Sequence, residues 1–191
     1  MQLFLASASP RRAALLRQIG VDIVPAPAPN IDETPALTEH PVDYVCRMAR
    51  EKSLASNALH GPTLTADTTV HFQGEIFGKP SDLEHAFDML NVLAGQQHAV
   101  TSAVCVRNGD ALQLRHSTTL VTFRPLSDQQ IRRYLATGES MDKAGGYGIQ
   151  GMGGALVQGI SGSYTNVVGL PLEETVVLLE HFAVPYWQSV C

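Results

Sequence analysis

The chain has only three lysines, three cysteines and one tryptophan among its 191 residues, and each scarcity excludes something. Cys46, Cys105 and Cys191 are odd in number, far apart and in no C-x-x-C pair, so free thiols are expected, not a disulfide framework or a thiolate metal site. The seven histidines never fall at H-x-x-x-H spacing, which leaves a zinc hydrolase unsupported and makes a hard ion on oxygen ligands the expected metal. No apolar run approaches the ~18 residues of a membrane span. The start of the chain also lacks a basic segment followed by an apolar core, so a soluble cytoplasmic protein is expected. Basic charge is scarce as well. A formal net charge of −5 argues against long nucleic acid as a partner, because such binding needs a positive surface to displace counterions from many phosphates. A small phosphorylated ligand stays compatible. With so few ammonium groups, the placement of Lys52, Lys79 and Lys143 in distinctive segments points to local use rather than solubility.

What is present is an alternation of strands and helices with 45% hydrophobic residues, sized for one domain. Leu3 to Leu5 reads as a strand. Ser9 and Pro10 open a helix carrying Leu15, Leu16 and Ile19, which stops at Gly20. Residues 25–35 are too proline-rich for a regular interior element and are expected to form a loop bearing Asp32 and Glu33. A helix over roughly 41–57 has Val45, Met48 and Ala49 on one face, and the same stripe continues to Lys52, an unusual inward position. Leu64 to Phe72 alternates as a strand with Asp67 on its polar side, and Gln73-Gly74 turns into a second short strand.

Ser81 and Glu84 have capping-box spacing ahead of a helix with Leu83, Phe87, Leu90 and Leu93, ended by Gly95. A hairpin is expected with Asn108-Gly109 at its tip, and Ser127 with Gln130 starts a helix closed by Gly138. The last third is glycine-rich, implying turns or close approach of the main chain to a ligand. A final helix from about Leu172 carries Val176, Leu179 and Phe182, followed by a tail expected to be poorly ordered.

Ser7-Ala8-Ser9-Pro10-Arg11-Arg12 places two arginines in the first turn of a helix, where the backbone dipole is already positive. A bound anion would make the peptide N–H groups, serine hydroxyls and guanidinium groups complementary to it, so the segment reads as a phosphate cradle. The plainer alternative is a solvated arginine pair. Two apparent phosphate motifs fail on context. Gly146-x-Gly148-x-x-Gly151 matches the dinucleotide fingerprint only by letters, since no buried strand leads into it and position 171 is proline. Gly74-x-x-x-Gly78-Lys79-Pro80 is one residue short of a P-loop and has proline where the magnesium-binding hydroxyl belongs. Glu33 and Asp67 remain as carboxylates among neighbouring cations, which are the parts needed to hold a divalent ion and cut a phosphoanhydride. The alternative for Asp67 is a structural salt bridge with Lys52.

Seven strings occur in order over nearly the whole chain. They are Ser7-x-Ser9-Pro10-Arg11-Arg12, Asp32-Glu33, Arg47-x-Ala49-x-x-Lys52, Ala66-Asp67-Thr68, Gly78-Lys79-Pro80, the stretch from Asp142-Lys143-Ala144-Gly145 to Gly151, and that from Gly162-Ser163-Tyr164 to Pro171. Together they resemble the Maf family of nucleoside triphosphate pyrophosphatases. The resemblance implies an α/β fold, a mixed, twisted sheet flanked by helices related to the inosine triphosphatase architecture, with the active site in a cleft between two lobes. It also implies a homodimer that uses Mg²⁺ or Mn²⁺ and hydrolyses a nucleoside triphosphate to the monophosphate and diphosphate.

Carried over by motif, Asp67 is the proton acceptor, and Glu33 with Asp67 holds the metal. Ser7, Ser9, Arg11, Arg12, Lys52 and Lys79 hold phosphates, and Thr68, Lys143 and Gln150 complete the expected substrate-binding set. Arg11, Thr68 and Gln150 are similar to the subgroup acting on dTTP and UTP. Gly146 departs from the family pattern, which has alanine there, and is expected to loosen its loop. The competing class is a non-catalytic nucleotide-binding regulator of cell division. A deoxyribonucleotide phosphatase is the third reading.

Overall fold

A computed structural model describes residues 2–56 and 60–188. Its strands are β1 (Leu3–Ala6), β2 (Ile23–Ala26), β3 (Thr63–Phe72), β4 (Glu75–Phe77), β5 (Gln97–Asn108), β6 (Ala111–Phe123) and β7 (Val157–Ser161). Its helices are α1 (Pro10–Gln18), α2 (Pro41–Ala55), α3 (Leu83–Leu93), α4 (Asp128–Leu135), α5 (Tyr164–Val168) and α6 (Leu172–His181). The strands form one sheet in the order β2-β1-β3-β5-β6-β7, with β4 added to β3. β1 is parallel to β2 and β3, and the other pairings are antiparallel. This is the mixed α/β sheet flanked by helices that the family resemblance implies, built from the alternation of strands and helices read along the chain.

Alternation along β3 and β5 sends side chains to two covered faces. On one face, Leu64, Ala66 and Val104 join Leu16 of α1 and Leu179 of α6 in one apolar cluster. Further along β3 the same face carries Val70, which packs with Leu90 of α3, Ile131 of α4 and Phe123 in a second cluster. Thr68 is the residue between these two groups. On the opposite face, Val45, Met48 and Ala49 of α2 cover Ala103 and Cys105 of β5. That helix also covers the polar side of β3, where the fully buried Thr65 hydroxyl donates to the Ala49 carbonyl at 2.8 Å.

The sheet opens at a defined place. One edge of β3 pairs with β1 only through Thr63 and Leu64, and with β4 only from Val70 to Phe72. Between those contacts residues 65–69 present an edge with no strand beside it among the described residues, so Asp67 and Thr68 both reach the gap although they point to opposite faces.

Several expectations need correction. Pro25 lies within β2; the strand tolerates it because β2 is at the sheet edge, where a missing donor disrupts no second ladder. α3 is capped by Asp82, whose carboxylate accepts from the His85 N–H at 2.8 Å, rather than by a Ser81–Glu84 box, and Leu83 is 54% exposed. Asn108 pairs with Ala111, so the hairpin turn is Gly109-Asp110. Through Gln188 the tail is docked, with Val184 buried and the Trp187 N–H donating to the Ile19 carbonyl at 2.6 Å. Gly146 is buried at φ +72°, a backbone that alanine adopts only with strain, so glycine suits this turn rather than loosening it. The expected thiol of Cys191 and the last turn of the 41–57 helix at Asn57 lie outside the described residues.

Candidate active site

The N-terminal cradle forms because β1 ends at Ala6 and α1 begins at Pro10. Ser9 caps α1 in extended conformation without spending its hydroxyl on the helix, and its N–H donates to Ser7 Oγ at 3.2 Å. The two arginines behave differently. Arg12 is fixed by three donations: Nε to the Gly169 carbonyl at 2.9 Å, one terminal nitrogen to Ser7 Oγ at 3.1 Å, and the other to Thr68 Oγ1 at 3.2 Å. Desolvation lowers its pKa, with nearby Asp67 opposing the shift. Arg11 reaches across to Asp142 at 3.4 Å. Neither is a freely solvated surface arginine.

Behind Thr68, the Ser102 hydroxyl lies 2.8 Å from Thr68 Oγ1 and donates to the Asn166 carbonyl at 2.9 Å. Asn166 is fully buried, accepts from the Ser102 N–H at 3.1 Å and donates to the Val100 carbonyl at 2.8 Å. This ties α5, and through it Gly169, to β5. Gly169 has φ +122°, and a Cβ there would lie 3.4 Å from Thr68 Oγ1, so glycine lets its carbonyl reach Arg12.

Lys52, on the inward stripe of α2, places its ammonium 2.7 Å from Asp67 Oδ1 and 2.6 Å from Glu33 Oε1. The salt bridge weighed from the sequence is therefore formed, but with two carboxylates rather than one. Burial raises the pKa of Asp67, opposed by the charges of Lys52 and Arg12, which makes it a better proton acceptor than an ordinary carboxylate. The loop that carries Glu33 is tied to α2. Tyr44 donates its hydroxyl to the Glu33 carbonyl at 2.9 Å, while Arg47 binds both oxygens of Glu39 at 2.7 Å and the Thr34 carbonyl at 3.2 Å.

The facing wall is the glycine-rich segment. Gly145, at φ +68°, donates its N–H to the Gly78 carbonyl at 3.1 Å and lies so close to Val70 that a Cβ would press on its methyls at 3.0 Å. That contact joins the Lys79 turn to the wall. Lys143 donates to the Glu139 carbonyl at 2.6 Å and to Asp142 Oδ1 at 2.5 Å, and Gln150 is exposed at the cleft.

All eleven residues picked from the sequence, Ser7, Ser9, Arg11, Arg12, Glu33, Lys52, Asp67, Thr68, Lys79, Lys143 and Gln150, line this one cleft of about 960 Å³. Among the described residues no group of three His, Cys, Asp or Glu forms a metal cage. Two carboxylates that converge on one ammonium offer oxygen donors of the kind a magnesium-like ion takes, so the chemistry of Glu33 and Asp67 fits such a group, which they would hold.

Sequence reasoning missed Glu139, Tyr44 and the buried Asn166–Ser102 support. Glu139 belongs to no string, and only its place after Gly138 at the entrance to the glycine-rich stretch could have signalled it. Tyr44 sits one turn before Met48 on the inward stripe of α2, and that spacing was readable. Asn166 was part of a quoted string but carries no ligand-type signal.

The fold and cleft define an α/β protein whose arginines and lysines share one cleft with paired carboxylates. The model of the Maf-like protein family matches residues 2–182, and the chain belongs to that family. The protein named dTTP/UTP pyrophosphatase from Alcanivorax borkumensis is 55% identical, over 98% of this chain and 99% of its own. A nucleoside triphosphate pyrophosphatase from Haemophilus ducreyi is 48% identical over 94% of each chain, and a dTTP/UTP pyrophosphatase from Symbiobacterium thermophilum is 47% identical over 96% and 95%. Pyrophosphatases of this kind are hydrolases, and the chain is an enzyme of that class. Likeness to solved structures is slight: the Staphylococcus aureus Ham1 protein aligns at a TM-score of 0.45 with 12% identity, over 64% of this chain and 72% of that one. No helix among the described residues is long and apolar enough to cross a membrane.

Proposed function

We propose that this enzyme hydrolyses dTTP and UTP to the nucleoside monophosphate and diphosphate. The observation that carries the reading is the convergence of Asp67 and Glu33 on Lys52 inside a cleft also walled by Arg11, Arg12 and Lys79. Asp67 takes a proton from a water as that water's oxygen forms a bond to the α-phosphorus. The bond from the α-phosphorus to the bridging oxygen breaks, and diphosphate leaves with the electron pair. Burial suits Asp67 to this work by raising its proton affinity.

Glu33 and Asp67 would hold Mg²⁺ or Mn²⁺, which neutralises triphosphate charge when bound. The cradle serines and Arg12 fix phosphate oxygens, and Lys52, Lys79, Arg11 and Lys143 add positive charge along the chain of phosphates. Most of the rate enhancement comes from positioning and charge neutralisation, because a phosphoryl-type transition state spreads charge over its oxygens and asks little covalent help. Gln150 faces the base, since a carboxamide can both donate to and accept from the edge of uracil or thymine. The names of the relatives support the same substrates. A cytoplasmic homodimer that clears surplus or non-standard pyrimidine nucleotides completes the reading.

The experiment is a panel of ordinary and modified triphosphates assayed with Mg²⁺ by phosphorus-31 spectroscopy. Diphosphate from dTTP and UTP is the expected product. Orthophosphate would indicate attack on the terminal phosphorus, and binding without turnover would indicate a sensor.

A further inference from the structure

We propose that Glu139 is a positioning residue for base recognition: its carboxylate fixes the main chain after Gln150 directly and before it through the Tyr134 hydroxyl, and so aims that side chain into the cleft. The inference rests on the reading of Gln150 as the group that meets the base. Glu139 follows α4 and Gly138 and is half-buried in the cleft wall. Its Oε2 accepts from the Met152 N–H at 2.8 Å, and its Oε1 accepts from the Gly153 N–H at 3.1 Å and the Tyr134 hydroxyl at 3.2 Å. The same hydroxyl accepts from the Gly148 N–H at 3.3 Å. Anchors thus fall at 148 before Gln150 and at 152 and 153 after it, and the exposed residue is held on a span tied at both ends.

The fit is close. A Cβ at Gly151 would overlap the Glu139 carboxylate, so the chain wraps the anion only because glycine stands there. Among the described residues no lysine or arginine pairs with this carboxylate; Lys143 bonds to the Glu139 backbone carbonyl instead. The negative charge is therefore directed at main-chain N–H groups of one loop rather than at a surface ion pair. An ionised carboxylate accepts from all three donors and supplies none, whereas a glutamine would turn an NH₂ toward one of them.

A double-mutant cycle tests this. The kcat/KM values of dTTP and dCTP are measured by diphosphate release for the wild type, Glu139→Gln, Gln150→Ala and the double variant, with thermal melts alongside. Glu139→Gln is expected to reduce discrimination between the two bases by about tenfold, through the KM of dTTP, because hydrogen bonds to a charged group are lost. The double variant should discriminate no worse than Gln150→Ala alone. Equal losses on both substrates, or a loss that adds in full to that of Gln150→Ala, would show a merely structural role and overturn the proposal.

Should Glu139→Gln not fold, Tyr134→Phe cuts the tie to Gly148 while keeping the ring, and the same failure to add is required of it. The two levels of inference separate. If Gln150→Ala removes discrimination and Glu139→Gln does not touch it, only the role of Glu139 falls; if Gln150→Ala leaves discrimination intact, both fall. Absence of wild-type turnover would defeat the proposed function, and dissociation constants of dTTP and dCTP would then decide the same cycle.

Discussion

The ammonium of Lys52 lies 2.7 Å from Asp67 and 2.6 Å from Glu33, joining a strand edge, a helix and a proline-rich loop through one charge. Lys52 and Asp67 are each only 13% exposed, so the pair is largely withdrawn from water, while Glu33 stays half in solvent. Loss of one partner from such a site leaves an uncompensated charge, whereas an isosteric amide at Asp67 keeps the shape and removes the base.

Asp67→Asn should therefore lower kcat by about 10²- to 10⁴-fold, the range for loss of a general base, while changing nucleotide affinity measured without metal little. Diphosphate release and equilibrium binding of dTTP check it together. Wild-type turnover by the variant would remove Asp67 from the proton acceptor's role.

Gln150→Glu should impair dTTP and UTP hydrolysis by about tenfold, because a carboxylate accepts but cannot donate to the base edge. Exposure of residue 150 means the melting temperature should hardly move. Equal losses on every triphosphate would show that Gln150 reads no base.

The loop bearing Glu33 has its own pH dependence. Hydrogen bonds from Arg47 hold the Glu39 carboxyl down from 4.5 to about 2. A depressed acid stabilises the folded state above its ordinary pKa, and that stability is lost as pH falls from 4.5 toward about 2. Glu39→Gln should melt about 2–4 °C lower at neutral pH, the shift that about 1 kcal/mol produces in a chain of this size. The difference from the wild type should shrink across that acid window. A constant difference down to the lowest pH would exclude the linkage.

Gly169→Ala places a side chain at φ +122° beside Thr68 and displaces the carbonyl that holds Arg12 Nε. A cost of about 1–3 kcal/mol in stability is expected from the strain. The KM for dTTP should rise with it, as Arg12 loses its orientation. Unchanged KM in a destabilised variant would separate the Gly169 turn from phosphate binding.

Much of the fold was legible because it follows local rules. The Ser127–Gln130 capping box forms as spaced, and the stripe Val45, Met48, Ala49 is fully buried with Lys52 next in line. Errors fell where a tertiary neighbour overrode local preference. Pro25 enters a strand because that strand has a free edge, and the tail is docked through Gln188 because Trp187 and Gln188 meet the chain just after α1.

The sequence by itself determined which groups are available: scarce cations, two acids in separate segments, a serine–arginine turn and a run of glycines. Side-chain chemistry and helix or strand periodicity are local properties, and one chain states them in full. Only the tertiary structure decided that those groups meet. Asp67 and Thr68 point to opposite faces of β3 and share a cleft because, among the described residues, β1 and β4 leave one edge of residues 65–69 open while β5 pairs with the other. That gap is a matter of register between distant segments, as is the seat that Tyr134, Met152 and Gly153 make around Glu139.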